Sequence, residues 1–209
     1  MAERKMLMTY TEFYGSNYTG MKQAEQYLLD LIDQYTVVKR EREGMKPIVY
    51  RCSRIKTPES MIQKLKKRGY EPTVDDALSK VHDAIGVRAV CAFSEDVYRF
   101  VHWLKTQNTI EILNEKDYYT HPKPNGYRSY HMQILLKNET ISEYYAEIQI
   151  RTIATDFWAT LEHQLKYKED IPNEKLIRSE LKRCADEIAS TDLSMQTIRD
   201  IIRESLTQQ

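Results

Sequence analysis

The sequence predicts a mixed fold of the α+β type, a mixed β-sheet flanked by helices, with helical extensions at both ends. Three observations lead there. Four short apolar runs carry the residue types and alternation of strands, and a long stretch near each end repeats its apolar residues at helical spacing. Composition agrees: 41% hydrophobic and 30% charged residues beside only six Gly and six Pro describe a folded, helix-rich chain of 209 residues, the size of one domain with extensions.

From the N-terminal side, Met21, Ala24, Leu28, Leu31, Ile32 and Tyr35 recur on one helical face behind Thr19, a capping residue type, so residues 20–42 form an amphipathic helix that Gly44 and Pro47 end. Thr57-Pro58-Glu59 starts a second helix over 58–68, closed by Gly69 and ending in the basic tail Lys64 to Arg68. Residues 74–82 read as another short helix. Ile85 to Phe93 is a β-rich run with one charge, Arg88, inside it, the pattern of a central strand. Ser94 is placed to cap a helix carrying Val97, Phe100, Val101 and Leu104. Strands follow at 109–113, 129–136 and 144–150, the last two joined by a hairpin turn within Asn138 to Ser142. The polar stretch Lys116 to Gly126 is a long loop, a usual place for function. After Thr152 the pattern is helical again. From Ile177 the residues Leu181, Cys184, Ile188, Thr191, Met195, Ile198 and Ile202 follow at heptad spacing with only Thr191 polar, which predicts one long helix, or two broken near Ser190, packed on a partner such as the 20–42 helix.

Bulk properties exclude several classes. With 31 basic and 31 acidic residues the net charge is zero, so attraction to nucleic acid or an anionic membrane is not written into the chain as a whole, and any phosphate site is local. No apolar run approaches the ~18 residues of a membrane span, and the first ten residues lack a signal-peptide core, so the expected compartment is the cytoplasm. Cys52, Cys91 and Cys184 are widely spaced, as reduced thiols are.

Charges inside strands are the informative letters, because an unpaired charge there is costly. Glu147, Gln149 and Arg151 share one sheet face by parity while Ile148 and Ile150 share the other. Asp83 stands just ahead of the Arg88 strand. If the two strands are neighbours, Asp83 and Glu147 form the carboxylate pair that holds Mg²⁺ together with substrate phosphates, and Arg54, Lys56, Lys64 and Arg88 are the cations such phosphates need. In the loop, Tyr127 offers a ring for a base, with Lys123 and His131 as donors. The loop's Asn125-Gly126 is also an ordinary turn, and Tyr127 could equally be a core residue. His82-Asp83 has the look of a metal-hydrolase pair but has no companion cluster. None of the common phosphate-loop patterns, GxxxxGK[ST] or GxGxxG, is present.

Four segments carry a resemblance: Ser53-Arg54-Ile55-Lys56-Thr57-Pro58-Glu59-Ser60, Asp83-Ala84-Ile85-Gly86-Val87-Arg88, Lys123-Pro124-Asn125-Gly126-Tyr127-Arg128-Ser129-Tyr130-His131, and Glu147-Ile148-Gln149-Ile150-Arg151-Thr152. In this order they resemble the RelA/SpoT homologues, and the length and layout resemble a small alarmone synthetase of that family. The resemblance implies a fold similar to the polymerase-beta nucleotidyltransferases and transfer of pyrophosphate from ATP to the ribose 3′-hydroxyl of GDP or GTP, with Mg²⁺ as cofactor. By the same resemblance Asp83 and Glu147 are metal ligands and catalytic residues, and Arg54, Lys56, Ser60, Lys64 and Arg88 bind ATP. Lys116, Tyr118, Lys123, Asn125, Tyr127, His131 and Gln149 bind the acceptor. It further implies three segments: an N-terminal helical part over 1–47, a synthetase domain over 48–168 and a C-terminal helical part over 169–209 that assembles a homotetramer. The ~47 residues before the domain are too few for the hydrolase domain of long family members. Two alternatives remain at this stage, a synthetase-like toxin that modifies the tRNA 3′ end and a non-catalytic nucleotide- or RNA-binding module.

Overall fold

The computed structural model describes residues 8–138, 140–166 and 173–207. Its elements in chain order are α1 (Tyr10–Tyr14), α2 (Asn17–Glu43), β1 (Ile48–Ile55), α3 (Pro58–Lys67), α4 (Val74–Lys80), β2 (Ile85–Cys91), α5 (Ser94–Leu104), β3 (Ile110–Asp117), β4 (Tyr130–Asn138), β5 (Ile141–Thr152), α6 (Ile153–Lys166) and α7 (Glu174–Thr207). The five strands form one mixed sheet in the order β1-β2-β5-β4-β3. Only β2 and β5 run parallel; the other neighbours are antiparallel.

Strand parity divides this sheet into an apolar face and a polar one. The apolar rows Val87, Ile148, Met132 and Ile85, Ala146, Ile134 lie directly opposite one another across β2, β5 and β4, all nearly inaccessible to solvent. Helices α2 and α5 cover them with Leu28, Ile32, Tyr35, Phe100 and Leu104, and the Tyr35 ring meets those of Phe100 and Trp103 at 4.9 Å. Burial of this much apolar side chain is the main favourable term for the fold. Within α2, Gly20 lies against the ring of Tyr144 from β5 so closely that a Cβ would stand 2.2 Å from its hydroxyl.

Several elements differ from the sequence expectation, each for a local reason. Strand β1 and helix α1 were not anticipated: β1 is an edge strand whose Arg51 and Arg54 break the apolar pattern, and α1 is a single capped turn, Thr9 and Glu12 forming a reciprocal capping box. Helix α2 begins ahead of Thr19, so Thr19 is not its cap. Nor does Ser94 cap α5, where Phe93 holds the N-cap position; the Gln196 side-chain oxygen of α7 accepts the Glu95 N–H at 3.2 Å instead. Strand β3 runs on to Asp117, which places Lys116 on a strand opposite His131 and shortens the loop.

Helix α7 is continuous through Ser190, and it packs on α6 and α5 rather than on α2. Its first half contributes Leu181, Cys184, Ala185 and Ile188 to a small apolar cluster with Trp158 and Ala159 of α6. Its second half is seated by buried polar residues. Thr152 donates to Asp192 at 2.7 Å, and Arg199 reaches Asp96 at 3.1 Å. The outer side is left apolar, with Leu193, Met195, Ile198, Ile201 and Ile202 half-exposed or more. The expected segment boundary at 168/169 lies outside the described residues.

Candidate active site

The polar face of the sheet is organised in two transverse rows. Arg54, Gly86, Glu147 and Gln133 are paired across β1, β2, β5 and β4; beside them Cys52, Arg88, Gln149, His131 and Lys116 are paired across all five strands. One recess opens over β1 and β2, lined by Arg54, Asp83, Arg88, Glu147 and Gln149 among others. A second opens over β3 and β4, lined by Lys64, Arg68, Asn114, Lys116, Tyr118, Lys123, His131, Gln133 and Glu147. Glu147 belongs to both.

Asp83 leads into β2, where the backbone bond from Lys56 N–H to the Ala84 carbonyl (2.9 Å) holds the approach to the strand. Its Oδ2 is contacted by the ammonium groups of Lys64 at 2.5 Å and Lys56 at 3.2 Å, while its buried Oδ1 has no hydrogen-bond partner. Helix α3 delivers Lys64: Thr57 caps it, Pro58 starts it, and the buried Met61 and Leu65 anchor it, which leaves Lys64 and Arg68, four residues apart, on the side toward the second recess. Burial alone would raise the Glu147 carboxyl. His131 and Gln149, with the charge of Lys64 beyond, outweigh it and hold the group at about 2. Gln149 donates to Glu147 Oε1 at 2.8 Å, and His131 Nδ1 stands 3.6 Å away.

A short polar chain extends from there. Arg151 donates to the Tyr127 hydroxyl at 2.9 Å, and that hydroxyl lies 2.8 Å from His131 Nε2. Arg151 can only donate, so the Tyr127 hydroxyl oxygen accepts from it and the hydroxyl bridges the guanidinium to His131. The Tyr127 ring meets those of Tyr118 and His131 edge-on, with the Lys123 ammonium 4.8 Å from its centroid. On the other side, Arg88 and Arg151 both donate to Asp156 Oδ1, at 3.2 and 2.9 Å.

Most residues singled out from sequence therefore converge. Asp83, Arg54, Arg88 and Glu147 line the first recess, with Lys56 on Asp83, and Lys116, Tyr118, Lys123 and His131 line the second, with the Tyr127 ring against those of Tyr118 and His131. Four stand differently. Lys64, expected with the ATP cations, lines the second recess while its ammonium reaches Asp83. Gln149, expected on the acceptor side, lines the first recess. Ser60 lines neither recess and accepts from the Thr57 hydroxyl at 3.0 Å. Asn125 turns away, donating to Glu162 of α6 at 2.9 Å while its side-chain oxygen accepts the Tyr127 N–H. Asn114, Gln133 and Asp156 were missed. Parity gives a signal for Gln133, two residues from His131 on β4, whereas Asp156 on the next helix gives none.

Two recesses lined by cations and sharing one ionised carboxylate on a mixed sheet are the arrangement that a group-transfer enzyme acting on phosphorylated ligands requires. The chain matches the family model described as the region found in RelA/SpoT proteins over residues 53–172, and it belongs to that family. It is 42% identical over 172 residues to GTP pyrophosphokinase YwaC of Bacillus subtilis, covering 77% of this chain and 80% of that one. Among solved structures it is similar to a GTP pyrophosphokinase family protein from Streptococcus pneumoniae, at 34% identity and TM-score 0.78 over 90% of this chain and 93% of that one. It is similar also to small alarmone synthetase 1 from Bacillus subtilis bound to its product pppGpp, at 27% identity and TM-score 0.77 over 88% and 95%.

Proposed function

We propose that the chain transfers pyrophosphate from ATP to the ribose 3′-hydroxyl of GDP or GTP, releasing AMP. The observation that carries this reading is Glu147, common to both recesses, between a cation-rich pocket suited to a triphosphate and an aromatic, cationic pocket suited to a base and its phosphates. ATP occupies the first recess, where Arg54, Lys56, Lys64 and Arg88 neutralise its phosphates. The acceptor occupies the second, its guanine against Tyr127 and its phosphates near Lys116 and Lys123. The 3′-hydroxyl then lies at Glu147. Its oxygen bonds to the β-phosphorus of ATP while its proton passes to the Glu147 carboxylate, the bond from that phosphorus to the α-phosphate oxygen breaks, and AMP departs with that oxygen.

The carboxylates suit Mg²⁺. Asp83 Oδ1 is a buried oxygen without a partner, Oδ2 attracts two ammonium groups, and Glu147 stays ionised. Among the described residues no set of three or more His, Cys, Asp or Glu forms a protein cage for a metal, which fits an ion completing its shell with phosphate oxygens and water. Bound there, Mg²⁺ would neutralise charge on the transferred group. Glu147 stays ionised at neutral pH, so the same carboxylate can hold the metal by its charge and accept the hydroxyl proton.

We assign residues 48–168 to the synthetase domain, the 1–47 segment to its apolar support, and 169–209 to assembly into a homotetramer in the cytoplasm. Among the described residues no helix is long and apolar enough to cross a membrane. The test is incubation with ATP labelled at its β-phosphate, Mg²⁺ and, separately, GMP, GDP, GTP or tRNA. Label on GDP or GTP with release of AMP is the expected result. Label on tRNA alone, or ATP left intact with every acceptor, overturns the reading.

A further inference from the structure

The loop that carries Tyr127 is held from outside the sheet, by α6 through Asn125 and by α7 on both sides of Tyr127. Gly126, with φ +88°, presses on α7 so tightly that a Cβ there would stand 2.5 Å from Ala185 Cβ. Arg128, on the other side of Tyr127, donates to the Ala185 carbonyl at 3.3 Å and to Asp186 at 3.0 Å. A second attachment lies at the end of β5, where Thr152 donates to Asp192 of α7 immediately after Arg151, the residue that holds the Tyr127 hydroxyl. Tyr127 is thus fixed both through its chain neighbours and through its hydroxyl partner; each route reaches α7, with α6 as a second support through Glu162 on Asn125 and Asp156 on Arg151. Among the described residues nothing comparable ties α7 to Arg54, Lys56 or Lys64, whose partners lie on β2 and in the turn before it, while Arg88 shares Asp156 of α6 with Arg151.

We propose that α7 is the positioning element of the second recess: the seating of Arg128 on Ala185 and Asp186 sets affinity for the acceptor nucleotide and leaves affinity for ATP untouched. Arg128 is then a positioning residue, acting through the loop and not on substrate. This rests on the assignment of the second recess to the acceptor.

The test is steady-state kinetics on the full chain with ATP and GDP varied in turn, in Arg128→Ala, Asp186→Lys, Asp186→Glu and the Arg128→Ala/Asp186→Lys double variant. Asp186 is half-exposed, so its replacements leave folding intact. Coupling of the usual size raises KM for GDP by roughly five- to tenfold in Arg128→Ala and in Asp186→Lys, with KM for ATP and kcat within about twofold. Asp186→Glu restores the wild-type value, and the double variant is no worse than the worse single one. An unchanged KM for GDP in Asp186→Lys overturns the proposal, as does a parallel rise in both KM values. A Tyr127→Ala control separates the two levels: if it raises KM for ATP instead of GDP, the acceptor assignment itself fails, whatever Arg128 does.

Discussion

Glu147 is half-buried where two recesses meet yet remains charged, because Gln149 and His131 supply the hydrogen-bond and electrostatic support that water would otherwise give. Its depressed value has a definite linkage. Relative to an unfolded carboxyl near the ordinary 4.5, the charged form favours the fold; that contribution is present in full above the unfolded value and is lost as pH falls through about 2. No part of the neutral pH profile of turnover should therefore come from this group. Glu147→Gln and Asp83→Asn keep shape while removing charge; each should still fold, Glu147→Gln without the stabilisation just described, and lower kcat by about 10²-fold or more. Near-normal turnover in Glu147→Gln at saturating Mg²⁺ would falsify the assignment. At this scale the sequence was most legible where parity worked: Glu147, Gln149 and Arg151 alternate with isoleucines, and the structure sets them on the polar face. It was least legible for Asn125 and Asp156, whose side chains are directed by a helix that neither parity nor spacing brings to mind.

Among the elements, α2 illustrates how packing overrides propensity. Gly20 sits inside a 27-residue helix, where Ala is ordinarily better by about 1 kcal/mol. Here the added methyl would collide with the Tyr144 ring, whose hydroxyl donates to the Asn17 carbonyl at 3.3 Å. Gly20→Ala should thus destabilise the protein, with overpacking costing about 1–3 kcal/mol, and calorimetry showing a raised melting temperature would refute the crowded contact. The same dependence on neighbours explains the misread boundaries. The start of α5 takes its cap from Gln196, about a hundred residues away in sequence, and β1 owes its place to pairing with β2, not to an apolar pattern of its own. Helix α3, whose strong apolar stripe and cap are its own, was read to within a residue. Elements whose identity comes from a distant partner were not.

For the molecule as a whole, α7 divides its heptad between two tasks. Ile188 belongs to the cluster with Trp158, while Ile198 and Ile202 stand half-exposed on the outer side. A second copy of the chain is the partner proposed for that side, and charges placed there test it without disturbing the protomer. Ile198→Glu/Ile202→Glu should reduce the mass seen by light scattering while leaving circular dichroism unchanged, and an unaltered mass counts against this seam. The division of the sheet into two faces has a consequence for descent. Because chemistry and core alternate residue by residue along β2, β4 and β5, replacement can alter either one alone, whereas gain or loss of a single residue within a strand would exchange the two wholesale. Lineages of this chain are therefore free to diverge by substitution throughout the sheet, but changes of length are confined to connections such as 105–109, and the spacing of its strand residues should outlast their identity.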